Sequence, residues 1–270
     1  LLKLHKWAGG VKLARTGGEA NAIAIRLARI YSKKDNIAIC GYHGWHDWYL
    51  SANISNNKNL NNHLLNNLEP NGVPKKLKNT VFSFKYNDIQ KFKQLVSKKN
   101  LSAVMMEVSR NYKPKNNFLN EIRKLTKKKN ITLIFDECTS GFRQTYGGLH
   151  KLYKINPDIA VFGKCIGNGY PLTAIVGSQK IMKHAQNSFI SSTFWSERTG
   201  YVAALKTLEI MKRKKTWKII TKTGNEIKKK WREKAKKYDL EIEILGLPAI
   251  CSFNFKSKNS KKIYYFFNTR

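Results

Sequence analysis

The chain has 270 residues, enough for one large domain or for one domain plus part of a second. With 41% hydrophobic and 11% aromatic residues it can fill a core, which excludes a chain disordered by composition. Its 51 Lys and Arg against 17 Asp and Glu give a formal net charge of +34, which first raises nucleic acid or an anionic membrane as partner.

The kind of basic residue argues otherwise. Lys outnumbers Arg by about four to one and gathers in runs such as Asn56-Asn57-Lys58-Asn59 and Lys127-Lys128-Lys129-Asn130. A reader of bases or phosphates favours Arg for its bidentate fork, so the excess reads as solvated surface and no specific nucleic-acid role is expected. Cys40, Cys138, Cys165 and Cys251 lie far apart with no C-x-x-C pair. Neither a disulfide scaffold nor a zinc site is expected, and free thiols point to the cytoplasm. No apolar run approaches the ~18 residues that cross a bilayer. The start, Leu1-Leu2-Lys3-Leu4-His5-Lys6, lacks a signal-peptide pattern and a Met, and Ile263 to Phe267 stops inside what reads as a packed element. Both ends are expected to be cut.

In chain order, apolar residues at helical spacing behind Gly17-Gly18 predict a helix over Glu19 to Lys33. Ile37-Ala38-Ile39-Cys40 reads as a buried strand ended by Gly41, and residues 51–79 as a long loop. A strand (Thr80 to Phe84), a helix (Asp88 to Ser97), a strand (Leu101 to Val108), a helix (Leu119 to Lys129) and a strand (Ile131 to Asp136) follow. Further strands are expected at Ile159 to Phe162 and Leu172 to Val176, then a Lys-rich helical stretch from Thr199 to about Tyr238. Two strand-like runs, Leu240 to Leu245 and Ala249 to Phe255, close the pattern. The alternation predicts an α/β fold: a mostly parallel sheet with helices on both faces over residues 1–205, and an incomplete small α+β domain over 206–270.

Ligands of open α/β sheets bind at the carboxyl ends of the strands, and the unusual residues of this chain fall there. Thr16-Gly17-Gly18 at a helix start is either a phosphate site built from amides, a hydroxyl and the helix dipole, or an ordinary capped helix. Asp136 ends an apolar strand, where a carboxylate needs a cation. It would meet a protonated ring nitrogen with Cys138 packed on the same face, cap a neighbouring helix, or form half of an Asp-Glu metal pair. Lys164, between a buried strand and Gly167-Asn168-Gly169-Tyr170-Pro171, is either desolvated into a nucleophilic amine or snorkels at a strand end. In Gly41-Tyr42-His43-Gly44-Trp45-His46-Asp47-Trp48 the aromatics either stack on a flat cofactor or pack the loop. His43 and His46 lack a third metal ligand nearby, so no metal is expected.

Phosphate cup, stacking aromatic, Asp and Lys are the protein parts that pyridoxal phosphate needs. As a set, Arg15 to Asn21, Gly41 to Trp48, Leu133 to Glu137 with Gly141-Phe142-Arg143, Pro157-Asp158 through Lys164, Gly169-Tyr170-Pro171 and Ser192-Thr193-Phe194 resemble the class III aminotransferases of fold type I. The likeness is greatest to the branch of glutamate-1-semialdehyde 2,1-aminomutase, and it spans residues 7–210. It implies a transaminase or aminomutase in which Lys164 binds pyridoxal 5'-phosphate as a Schiff base and moves the proton, while Asp136 keeps the ring nitrogen protonated. It further implies that Tyr42 stacks on one ring face and Cys138, where the family usually has Val, on the other. Gly17 and Gly18 would bind the phosphate beside Thr16, Glu107 would lie near the ring, and Thr193 would reach the phosphate of the other subunit in a homodimer. Val108, Asn168 and Ser196-Glu197-Arg198 depart from the family's usual Pro, Gly and Gly-Asn-Pro. A non-catalytic protein of the same fold and a basic anion-binding module are the competing expectations.

Overall fold

The computed structural model describes residues 1–61, 63–257 and 259; the expected element at Ile263 to Phe267 lies outside them. In chain order the elements are β1 (Gly10–Ala14), α1 (Gly17–Ser32), β2 (Asn36–Cys40), α2 (Asp47–Leu50), β3 (Val81–Ser83), α3 (Ile89–Lys98), β4 (Leu101–Met106) and α4 (Phe118–Lys128). There follow β5 (Thr132–Glu137), β6 (Ile159–Phe162), β7 (Thr173–Gly177), α5 (Gln179–Met182), α6 (Thr199–Lys214), α7 (Thr216–Lys237), β8 (Ile242–Leu245) and β9 (Ser252–Phe255).

A seven-stranded sheet runs β1-β7-β6-β5-β4-β2-β3. Its strands β3, β2, β4, β5 and β6 are parallel, while β7 is antiparallel to both β6 and β1. Side chains of a strand alternate between faces, and the core divides accordingly. Ile37, Ile39, Met105, Ile134 and Val161 pack under α1 with Ile23, Ala24 and Leu27. Ala38, Cys40, Val104, Met106, Leu133 and Phe135 pack against Phe92 and Leu95 of α3 and Phe118 and Ile122 of α4. Helices therefore cover both faces, as the run of strand and helix predicts.

Helix α1 starts where Thr16 leaves the helical conformation (φ −117°, ψ 156°) and its hydroxyl accepts the Glu19 amide. The Glu19 carboxylate accepts the Arg15 amide at 2.9 Å, which ties the residue before the cap to the first turn. Three differences from the expected elements bear on the site. Strand β1 has no counterpart among them: five residues with one lysine in the middle carry too little periodicity, and its order comes from pairing with β7. Strand β4 ends at Met106, so Glu107 and Val108 leave the sheet although the Glu107 amide still donates to the Cys40 carbonyl at 3.2 Å. The 51–79 stretch holds short 3-10 turns at Ser51–Asn53 and Lys75–Leu77. Residues 205 and 206 both lie within α6, and β8 and β9 pair as a separate antiparallel hairpin. Among the described residues no helix is long and apolar enough to cross a membrane.

Candidate active site

The carboxyl ends of β2, β4, β5 and β6 lie side by side in the sheet, and the sequence places Gly41, Glu107, Cys138 and Gly163 just beyond or close to them. Asp136 and Ile134 share the face under α1, whereas Glu137 turns to the other face. Asp136 is buried, at 5% exposure, and its partners explain how it stays charged. Oδ2 accepts the His43 Nδ1 hydrogen at 2.8 Å and the Asn21 side-chain amide at 2.8 Å; Oδ1 accepts the Cys138 backbone amide at 3.1 Å. Burial alone would raise this carboxyl, but the hydrogen bonds from His43, the Cys138 amide and Asn21 hold it below the usual carboxylate value.

These contacts bear on two of the alternatives left open for Asp136, the helix cap and the Asp-Glu metal pair. Its partners are not the terminal amides of a helix, so it is no cap. Glu137, its would-be companion for a metal, bonds instead to His150, Ser140 and the Leu149 amide. Among the described residues no group of three His, Cys, Asp or Glu could hold a metal ion. His43 and His46 diverge: the first serves Asp136, and the second stacks on Trp45 with ring centroids 4.8 Å apart.

Cys138 is buried beside Asp136, and a Cβ added at Gly17 or at Gly163 would lie 3.3 Å or 3.2 Å from its Sγ. The thiol thus sits between the mouth of α1 and the start of the Lys164 turn, and burial pushes its pKa up. Gly17 and Gly18 present the first amides of α1, with Thr16 exposed beside them. The Thr16 carbonyl accepts the Thr173 hydroxyl at 3.2 Å, tying this turn to β7. Gly41 has φ +134°, and a Cβ there would meet Glu107 Oε2 at 2.9 Å, so glycine is required. Glu107 is buried; its Oε1 accepts from Arg110 at 3.1 Å and its Oε2 from the Tyr42 amide at 3.4 Å. Burial raises the Glu107 carboxyl in spite of Arg110. Half-buried Tyr42 meets Tyr49 edge to face at 5.9 Å.

Lys164 corrects one expectation. Its side chain is exposed, not desolvated, in the isolated chain, and its Nζ donates to Thr139 Oγ1 at 2.9 Å. The reason is local: β6 ends at Phe162, Gly163 turns the chain out, and Lys164 takes a left-handed φ of 44° as a 3-10 turn begins. Thr193 is also exposed, at the start of the 3-10 turn Thr193–Ser196. Sequence reasoning missed the parts of His43 and Asn21. Asn21 is a polar residue on the buried face of α1, a visible signal; the role of His43 depends on how the loop after β2 folds back.

The donor set fits a flat, phosphate-bearing pyridine. It combines helix-mouth amides that could hold an anion, a buried ionised carboxylate that could face a cationic nitrogen, an aromatic, a thiol and a primary amine. A family model, aminotransferase class-III, matches residues 3–269. The chain is 32% identical to 3-aminobutyryl-CoA aminotransferase of Cloacimonas acidaminovorans over 90% of this chain and 57% of that protein. It is 28% identical to glutamate-1-semialdehyde 2,1-aminomutase of Hyperthermus butylicus over 98% of this chain and 66% of that one. Among solved structures, the PLP internal aldimine form of the FumI protein of a Sphingopyxis species superposes with a TM-score of 0.84 at 22% identity, covering 96% of this chain and 61% of that one. An omega-transaminase from Sphaerobacter thermophilus gives 0.80 at 24% identity, covering 94% and 60%. The structures share the fold, and the chain spans between half and two thirds of the length of these relatives. On the family match over nearly its whole length, this chain belongs to the class-III aminotransferases.

Proposed function

We propose that the protein is a pyridoxal-phosphate-dependent enzyme that moves an amino group, as a transaminase or a 2,1-aminomutase. The observation that carries this reading is the buried Asp136 carboxylate, kept ionised by His43 and Asn21, on the side of the sheet where Cys138 separates the mouth of α1 from the Lys164 turn. Pyridoxal phosphate, when bound, supplies an aldehyde for an amine and a ring that withdraws electrons from the substrate carbon.

Each residue has one task in this reading. Asp136 holds a proton on the ring nitrogen. Lys164 would provide the amine that holds the cofactor, and its Nζ would be the group that takes up and returns a proton. Gly17, Gly18 and Thr16 bind the phosphate, Tyr42 and Cys138 cover the two ring faces, and Glu107 stands near the ring. Thr193 contacts the phosphate in the neighbouring subunit, so the working form is a homodimer. Large apolar side chains left exposed by the single chain support a partner surface: Phe189 at 88%, Trp45 at 72% and Leu205 at 69%. A second subunit over the Lys164 face would also supply the desolvation that the isolated chain lacks. Residues 1–205 form the cofactor-binding domain and 206–270 part of the small domain. The four cysteines are free, which fits a cytoplasmic location.

The test is borohydride reduction of the full-length protein with added cofactor, followed by peptide mapping. One cofactor per chain is expected on the peptide carrying Lys164, and Lys164→Ala should lose that label. Since so many lysines are available for random reaction, stoichiometry decides. Substoichiometric labelling spread over surface lysines, or an unchanged adduct in Lys164→Ala, would overturn the reading.

A further inference from the structure

Arg15 joins three segments that the proposed site uses separately. Its Nη2 lies 3.2 Å from Glu197 Oε2 and its Nη1 3.4 Å from the Tyr170 hydroxyl. Its guanidinium carbon stands 4.0 Å from the centre of the Phe194 ring. Arg15 directly precedes Thr16-Gly17-Gly18, Tyr170 belongs to the glycine-rich loop after Lys164, and Phe194 follows Thr193. The Glu197 carboxylate has further work: it accepts the amides of Thr199 at 2.7 Å and Gly200 at 3.5 Å, at the start of α6. Hydrogen bonds from the Thr199 hydroxyl foremost, then the Thr199 amide, the Tyr170 hydroxyl and the Gly200 amide, hold its pKa at about 2, so it stays charged at neutral pH.

The same segment is pinned again one residue along. Trp195 Nε1 donates to the Leu13 carbonyl of β1 at 2.8 Å, Lys12 Nζ stands 4.1 Å from the Trp195 ring centre, and the Tyr201 hydroxyl donates to the Trp195 carbonyl at 2.6 Å. The join leaves a cavity of only about 10 Å³. An ion pair this open to solvent, with side chains 20% and 30% exposed, contributes little to stability by itself. What the arrangement does achieve is geometric. A planar guanidinium can pair with a carboxylate and stack on a ring at the same time, which an ammonium cannot.

We propose that Arg15 and Glu197 are positioning residues whose ion pair latches residues 192–198 to the phosphate loop and thereby sets where Thr193 stands. The inference rests on the reading above, in which Thr193 contacts the phosphate held by the other subunit. It also gives a role to Ser196-Glu197-Arg198, the departure from the family's usual Gly-Asn-Pro: a Gly-Asn-Pro segment carries no carboxylate for Arg15.

Titration of the full-length apoprotein with pyridoxal phosphate, followed by absorbance, tests this in a double-mutant cycle. Glu197→Gln should raise the dissociation constant about tenfold, the scale of one lost charge-assisted contact, with the melting midpoint of the apoprotein nearly unchanged. Arg15→Lys, which keeps the charge and loses the stacked fork, should act in the same direction. Glu197→Gln combined with Thr193→Ala should bind no more weakly than Thr193→Ala alone, because one acts through the other. Additive losses, or an unchanged dissociation constant in either Glu197→Gln or Thr193→Ala, would overturn the latch. A wild-type protein that takes up no cofactor would instead sink the proposed function, so the two failures are distinct.

Discussion

His43 Nδ1 and Asp136 Oδ2 are 2.8 Å apart with both side chains buried, and the Asn21 amide bridges from that same oxygen to the His43 carbonyl. One carboxylate oxygen therefore receives two donors, one from the loop after β2 and one from α1, while the other oxygen takes the Cys138 amide. Replacing His43 by Phe leaves a buried charge short of its strongest support. The expected cost is about 1.5–3 kcal/mol in urea unfolding at pH 7, together with weaker cofactor uptake. His43→Asn retains a donor and should lose less. Equal stability of His43→Phe and wild type would show that the bond contributes nothing net.

Gly17 and Gly18 are neighbours with different constraints. A Cβ at Gly17 would meet Cys138 Sγ at 3.3 Å, a contact that a few tenths of an ångström relieves. At Gly18 it would fall 2.5 Å from His46 Cε1 and 2.6 Å from His46 Nδ1, with the ring already stacked on Trp45. Gly17 is the first residue of α1, where alanine gains less than its advantage of about 1 kcal/mol over glycine in a helix interior, and the slight crowding there costs comparably little. At Gly18 the overlap should win by about 1–3 kcal/mol. Thermal melts should show Gly17→Ala close to wild type and Gly18→Ala destabilised, with His46→Ala restoring the latter. No restoration in the double variant would mean that the steric account is wrong.

The parts of this chain legible in its sequence are those set by local periodicity. The apolar stripes of α1, α3 and α4 and the short runs of β2, β5 and β6 mark their own burial, because a side chain's face follows from its spacing alone. Asp136 stood out for the same reason, a charge at the end of a buried run. What stayed hidden depends on contacts distant in sequence. Strand β1 exists through its pairing with β7. The roles of His43 and Asn21 arise where a loop and a helix meet over β5. The exposure of Lys164 follows from how the chain turns at Gly163, and the pairing of Arg15 with Glu197 spans 182 residues. Neither spacing nor composition encodes such distances.

His5 makes the stability of the fold depend on pH. Its ring is 1% exposed, stacked on Phe162 at 5.0 Å and 5.4 Å from the His150 ring, with no hydrogen-bond partner for either ring nitrogen among the described residues. Burial, reinforced by the neighbouring His150 and Lys151, lowers its pKa from 6.5 to about 3. Between those two values the unfolded chain binds a proton that the folded chain does not, so stability falls as pH falls through that window. At pH 5 the contribution is about 2 kcal/mol, from 1.5 units below the unfolded value at about 1.4 kcal/mol each. Replacing His5 by Phe keeps the aromatic contact with Phe162 and removes the titration. Unfolding free energies at pH 7 and pH 5 should then differ by about 2 kcal/mol less in His5→Phe than in wild type. Parallel pH profiles for the two proteins would show that some other group sets the acid sensitivity.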